Sequence, residues 1–252
     1  MAIRATRVAA LYDIHGNLSA LEAVLAEVDA LGVDLVVVGG DIASGPLPLE
    51  TLGALRSRGD ARFVRGNADR ELAVGAPPPE SEGAQAAWTW TTSHLDDEQR
   101  TWLDGLGFSL TVEVGGLGSV LFCHGSPRSD EEIITRLSPD ERVSPMLRDV
   151  AESVIVCGHT HIQFDRTIDG RRVVNAGSVG MSYQDEPGAY WMLISNEIEF
   201  RRTEYDLDEA AALITATGFP ESDELIEILR RPPSSEEAST HFERMAVDRA
   251  QD

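Results

Sequence analysis

Unbroken apolar runs and helix-spaced apolar residues take turns along the first part of this chain. Arg7 to Tyr12 reads as a short buried strand. From Asn17 to Leu31, the residues Leu18, Leu21, Val24, Leu25, Val28 and Leu31 recur at helical spacing. Asn17 is suited to cap that helix and Gly32 to stop it. Val33 to Val38 is apolar apart from Asp34, as in a strand covered on both faces. Strand, helix and strand together predict a βαβ unit with a right-handed crossover. A helix over Pro46–Ser57 and a short third strand over Arg62–Val64 follow.

The period then changes. Three prolines at 77–79, with Glu80 to Gly83, predict a surface loop. Gln85–Leu106 predicts one helix, with Trp88, Trp90 and Trp102 available for packing. Leu110–Val114 and Ser119–Cys123 flank a glycine-rich turn and predict a hairpin. Val154–Cys157 predicts another buried strand. Phe164–Ile168 and Arg171–Asn175 flank Asp169-Gly170, a hairpin-turn dipeptide. Tyr190–Ile194 and Glu197–Arg202 predict a last hairpin, and Asp206–Thr217 and Ser222–Arg230 predict helices. From Pro232 onward the chain is polar and reads as loosely held. A βα first half followed by a mostly antiparallel second half predicts two packed sheets with helices outside. The domain expectation is a main domain over 1–205, a helical appendage over 206–231 and a polar tail over 232–252.

Composition narrows the function classes. The chain has 252 residues, 42% of them hydrophobic, enough for a sizeable core. No apolar run approaches the roughly 18 residues of a membrane span, so no membrane partner is expected. Met1-Ala2-Ile3-Arg4 carries no signal-peptide pattern, and the expected location is the cytoplasm. The two cysteines, Cys123 and Cys157, each end an apolar run and read as small buried hydrophobes. Net charge is −22, from 43 acids against 21 cations, and every cation is arginine. Such a surface repels long polyanions, which argues against non-specific nucleic-acid binding and against a nuclease. A small phosphorylated substrate stays compatible, because bound divalent ions would invert the local field.

Five short motifs follow strand-like runs and end in metal-ligand side chains. They are Asp13-Ile14-His15-Gly16-Asn17, Gly39-Gly40-Asp41, Gly66-Asn67, His124-Gly125 and Gly158-His159-Thr160-His161. Strand ends along one sheet edge lie side by side, so donors far apart in sequence converge there. The glycines permit tight turns and close backbone approach. Taken singly, each motif reads as a cap, a turn or a rim histidine. Together they take four of the six histidines. Imidazole, carboxylate and amide oxygen suit Mn²⁺, Fe or Zn²⁺, with Ni²⁺ a further candidate and Mn²⁺ preferred.

These residues resemble the calcineurin-like metallophosphoesterase superfamily, and within it the small bacterial and archaeal phosphodiesterase-like branch, from about residue 6 to about residue 205. The resemblance implies a four-layer αββα sandwich and two divalent ions. Asp13, His15 and His161 would bind one, Asn67, His124 and His159 the other, with Asp41 bridging. It implies in-line attack on a small phosphate ester, preferably a diester, by a hydroxide bridging the ions, with His159 or a water relaying a proton. Asp41 and Asn67 share that catalytic set. Asn175–Gly180 is similar to a family loop beside the site, with Ala176 where proline is usual. Many family phosphatases carry a histidine after Gly-Asn that protonates the leaving group. Here Ala68 stands in its place, so esters with good leaving groups are favoured.

Several expectations remain open at this level. Arg65 and Arg128 are candidate substrate contacts, with Arg70 beside them, since guanidinium matches phosphate. Salt bridges to the abundant acids are the other role for all three. His94, on the tryptophan-rich helix, is a substitute acid or a surface residue. The helices after residue 206 dock near the site or form a homo-oligomer contact. The rival function is a non-catalytic scaffold of the same fold, as in a retromer subunit of the superfamily. Within the enzyme class, a dinucleoside-polyphosphate hydrolase or a protein phosphatase are the alternatives.

Overall fold

The computed structural model describes residues 2–75 and 81–249. The chain runs β1 (Ile3–Ala5), β2 (Val8–Leu11), α1 (Leu18–Leu31), β3 (Leu35–Val38), α2 (Pro48–Arg56), β4 (Ala61–Phe63), α3 (Asn67–Val74), α4 (Glu82–His94) and α5 (Asp97–Asp104). It continues with β5 (Ser109–Val114), β6 (Gly118–Cys123), α6 (Asp140–Val143), a 3₁₀ turn at Ser144–Leu147, β7 (Val154–Cys157), β8 (Phe164–Ile168) and β9 (Arg171–Asn175). Last come β10 (Ala189–Ile194), β11 (Ile198–Thr203), α7 (Leu207–Thr217), α8 (Ser222–Arg230) and α9 (Ser235–Asp248).

The strands form two mixed sheets. One has five strands in the order β11-β10-β2-β3-β4, and the other has six in the order β1-β5-β6-β7-β9-β8. The βαβ start is parallel, with Val8 opposite Leu35 and Leu11 opposite Val38. Alternation along β2 explains the layering. Val8 and Ala10 pack with Val37, Val120, Phe122, Val156 and Met192 between the sheets. Ala9 and Leu11 face the other way, onto Leu21, Val24 and Val28 of α1 and Leu52 and Leu55 of α2. Outside the second sheet, Ile155, Cys157 and Val173 pack against Val143, Met146 and Leu147. The result is the four-layer αββα sandwich.

Four expectations need correction. Gln85–Leu106 is two helices, because Leu95 is buried and Asp96 starts a new helix. The Asp96 carboxylate accepts the Gln99 N–H, and the Gln99 amide oxygen accepts the Asp96 N–H, both at 2.8 Å. Within the loop expected at 77–83, Glu82 and Gly83 already belong to α4, capped by Ser81, while 77–80 fall outside the described residues. The segment after Pro232 is a docked helix. Ser234 and Glu237 form its capping box, and Glu243 accepts hydrogen bonds from Thr135, Ser138 and Arg142 at 2.7 Å each. Ser235 N–H also reaches Asp185 at 3.1 Å. The third strand stops at Phe63, with Val64 making one bridge to Gly107.

Candidate metal centre

The ends of β2, β3, β6 and β7 meet at one rim of the sandwich, and the five motifs meet with them. Asp13, His15 and His161 each offer one donor atom, all within 4.8 Å of one another, and Asp41, His124 and His159 do the same. The Asp41 carboxylate oxygen Oδ2 lies 3.4 Å from His124 Nε2 and 3.7 Å from His15 Nε2, so it faces both groups. Asn67 Oδ1 is 3.2 Å from His124 Nε2. Asp13 Oδ1 is 3.4 Å from His161 Nε2 and 3.8 Å from His124 Nε2.

The backbone beneath these donors is strained. Asp13, His15, Asp41, His159 and His161 all have left-handed φ, from 47° to 66°; among the described residues the one other non-glycine case is Asp169 in its hairpin turn. Each such residue costs about 1–3 kcal/mol and persists only where its surroundings fix it. They do so here. Asp13 N–H donates to Gly40 C=O at 3.1 Å, His15 N–H to Asp41 C=O at 2.9 Å, and His159 N–H to Asp13 Oδ2 at 3.0 Å. The motif glycines give the loops room: a Cβ on Gly158 would stand 2.4 Å from the Tyr12 ring and 2.6 Å from Asp13 Oδ2.

The donor set fits divalent cations. Nδ1 of His15, His124 and His161 lies 3.2, 2.9 and 2.7 Å from the carbonyls of Ser44, Gly39 and Met181. A ring whose Nδ1–H is spent on a carbonyl presents a bare Nε2 when neutral, the arrangement typical of metal-binding imidazole. Nε2 of His15 and Nε2 of His161 face each other at 3.1 Å. Asp13 Oδ1 is buried with no hydrogen-bond partner, an expense a protein rarely carries without a cation to meet it. Both cysteine thiols point elsewhere, to the carbonyls of Val156 and Val174.

Electrostatics follow from crowding. Burial alone would raise the Asp41 carboxyl, but the charges of His124, His15 and His159 hold it far below its ordinary range. Burial likewise opposes ionisation of Asp13, and His161 and His124 outweigh it downward. Burial opposes a charged His124, yet the carboxylates of Asp41 and Asp13 lift it to about 10. Burial and the neighbouring His124 charge push His159 down to about 4. The carboxylates thus stay ionised as cation donors.

A second set of residues holds the donors in place; the sequence pointed to the Asn175–Gly180 loop but not to Asp69. The buried Asp69 carboxylate accepts N–H groups from Asp41 at 2.8 Å, Ile42 at 2.9 Å and Gly66 at 3.0 Å, tying two motif loops together. Its signal was an acid three residues into a helix that starts after Gly66. Asn175 holds Gly158 C=O at 2.6 Å and Thr160 Oγ1 at 3.1 Å, and Ser178 Oγ holds Asp13 C=O at 2.7 Å. Tyr183 stacks on His161 with centroids 4.9 Å apart. These contacts explain why the Asn175–Gly180 loop sits beside the site.

The three arginines are engaged by other groups of the protein. Arg65 reaches Asp104 C=O at 3.3 Å. Arg70 pairs with Asp130 at 2.8 Å and with Glu131. Arg128 forks onto Glu132 at 2.8 and 2.5 Å. His94 is exposed and stacked on Trp90 at 3.8 Å. At Ala68 the backbone N–H donates to Asp41 Oδ1 at 2.9 Å.

Fold and donor set define a protein of the metallophosphoesterase class. The family model described as the calcineurin-like phosphoesterase superfamily domain matches residues 7–197, and the chain belongs to that family. A curated relative, Uncharacterized protein MJ0912 of Methanocaldococcus jannaschii, is 28% identical over 240 residues, 85% of this chain and 94% of its own. A metallophosphoesterase from Sphaerobacter thermophilus is 27% identical with a TM-score of 0.72, over 89% of this chain and 98% of that one. The hypothetical protein PH1004 of Pyrococcus horikoshii, at 24% identity and a TM-score of 0.78, covers 90% of this chain and 99% of its own and shares the fold. Family membership supports a phosphoester hydrolase that depends on metal. Among the described residues, no helix is long and apolar enough to cross a membrane.

Proposed function

We propose that the chain hydrolyses small phosphate esters, diesters in preference to monoesters, with two divalent ions held by Asp13, His15, Asp41, Asn67, His124, His159 and His161. The observation that carries this reading is the buried, unpartnered Asp13 Oδ1 amid inward-facing imidazole Nε2 atoms. The similarity to the Sphaerobacter metallophosphoesterase supports it. When bound, the ions would supply an activated water and neutralise charge developing on phosphoryl oxygens. Asp41 faces both groups of donors and would bridge them. Asp69 and the Ala68 N–H keep the Asp41 carboxylate aimed. Burial and the neighbouring His124 charge lower the proton affinity of His159, which suits a ligand more than a proton carrier.

Position 68 sets the leaving-group preference. General-acid help is worth about 10²–10⁴ in rate, and an alanine supplies none. The substrate is therefore one whose departing group needs little protonation. Metal-stripped protein, given Mn²⁺, Zn²⁺, Ni²⁺ or Mg²⁺, should turn over bis-nitrophenyl phosphate faster than nitrophenyl phosphate. Faster turnover of the monoester would overturn the diester preference. No turnover of either ester, in folded protein that binds ions, would move the reading to a scaffold.

A further inference from the structure

Beside His15 the molecule carries a cavity of about 370 Å³. It lies between the start of α4, through Ala84 and Ala87, and α8, through Leu225 and Ile228, with Met181 and Phe219 completing an apolar lining. The lining is well supported. Phe219 and Leu225 belong to a packed cluster with Ile214 and Leu229, and Trp90 stands edge-on to Phe219 at 5.4 Å. Phe219 and Leu225 are therefore held in place on one side of the cavity, and His15, a candidate metal ligand, also lines it.

Its charged groups are all acidic apart from that histidine. Glu221 and Glu224 lie on the α8 side, and among the described residues no arginine lines the cavity. Glu221 rests against the backbone of α4, where Gly83 leaves room: a Cβ there would stand 2.7 Å from both carboxylate oxygens. The hydrogen bond and charge of Glu224 raise the Glu221 carboxyl above its ordinary value, and no arginine offsets them. Two carboxylates with no counter-ion among the described residues, at the side of an apolar cavity, attract an organic cation and repel phosphate.

We propose that this cavity receives the organic group of the phosphate ester, and that it selects a compact apolar group ending in an ammonium over one carrying further phosphate. The proposal rests on the phosphoesterase reading above. It disfavours polyphosphate substrates, whose second phosphate would meet Glu221 and Glu224.

The test is a calorimetric titration of the Mn²⁺-loaded protein with phosphocholine and with its neutral isostere, 3,3-dimethylbutyl phosphate. Both probes offer the same phosphate, so their ratio reads the cavity alone. Wild type should bind phosphocholine about tenfold more tightly at low salt, and the E221Q/E224Q variant should lose that preference. Equal affinities in wild type, or a preference that survives in the double variant, would overturn the proposal. Turnover of bis-nitrophenyl phosphate, measured on the same preparation, separates the two readings. Turnover without the preference sinks the cavity assignment alone. The preference without turnover keeps the cavity as a binding site and sinks the phosphoesterase reading.

Discussion

At the scale of single residues, the site is a set of costly positions held by cheaper ones. Five candidate ligands sit in left-handed backbone, and Asp69 spends a buried carboxylate on three N–H groups of the loops that carry Asp41 and Asn67. Asp69→Ala leaves those donors unpaired. It should cost about 1–3 kcal/mol, read as a shift of the urea midpoint, and lower metal affinity about 10–100-fold. Unchanged affinity would show that Asp69 serves the fold and not the site. Ala68→His should speed esters with poor leaving groups more than nitrophenyl esters; equal acceleration, or none, counts against the account of position 68. The candidate ligands were legible in the sequence because each lies in a short motif that follows an apolar strand and contains glycine. Asp69 was not, because an acid in a first helical turn has many ordinary uses; the resemblance placed the loop of Asn175 and Ser178 beside the site but not what those side chains hold. The candidate arginines could be named by chemistry, but the sequence did not reveal their partners Asp104, Asp130, Glu131 and Glu132.

At the scale of elements, capping decided what periodicity left open. The 85–106 stretch keeps a helical character throughout, yet Asp96 and Gln99 pair reciprocally and break it in two. Asp96→Ala should cost about 1 kcal/mol, seen as a lower melting temperature. Ser234-x-x-Glu237 is the same kind of signal, and the polar composition around it obscured a helix that docks. That helix is anchored by Glu243. Burial opposes ionisation of Glu243, but hydrogen bonds from Arg142, Ser138 and Thr135 outweigh it and hold its carboxyl below its ordinary value. A lowered carboxyl contributes stability above its unfolded-state pKa, and that stability is lost as pH falls through the folded-state value. Wild type should therefore exceed Glu243→Gln in urea midpoint near pH 7, and the gap should close on acidification below pH of about 4.5. A constant gap would mean that charge at Glu243 is not what docks α9.

At the scale of the whole molecule, two sheets bring strand ends to one rim, and the ligands arrive with them. The βαβ start, the later hairpins and the two-sheet plan could be read from hydrophobic period alone. The order of strands across the second sheet, where β9 lies between β7 and β8, could not. That order depends on long-range pairing, which local sequence does not encode. The chain carries a net charge of −22, to which Asp13 and Asp41 at the rim contribute. Bound cations should therefore stabilise the fold, and chelation should lower the melting temperature by an amount that Mn²⁺ restores. The most direct test of the central claim combines ion content with turnover. Metal-stripped protein dialysed against Mn²⁺ should retain two ions per chain and hydrolyse bis-nitrophenyl phosphate, while folded Asp41→Asn should retain fewer ions and lose turnover. Two ions and full turnover in Asp41→Asn, or a wild-type protein that is folded and binds none, would contradict it.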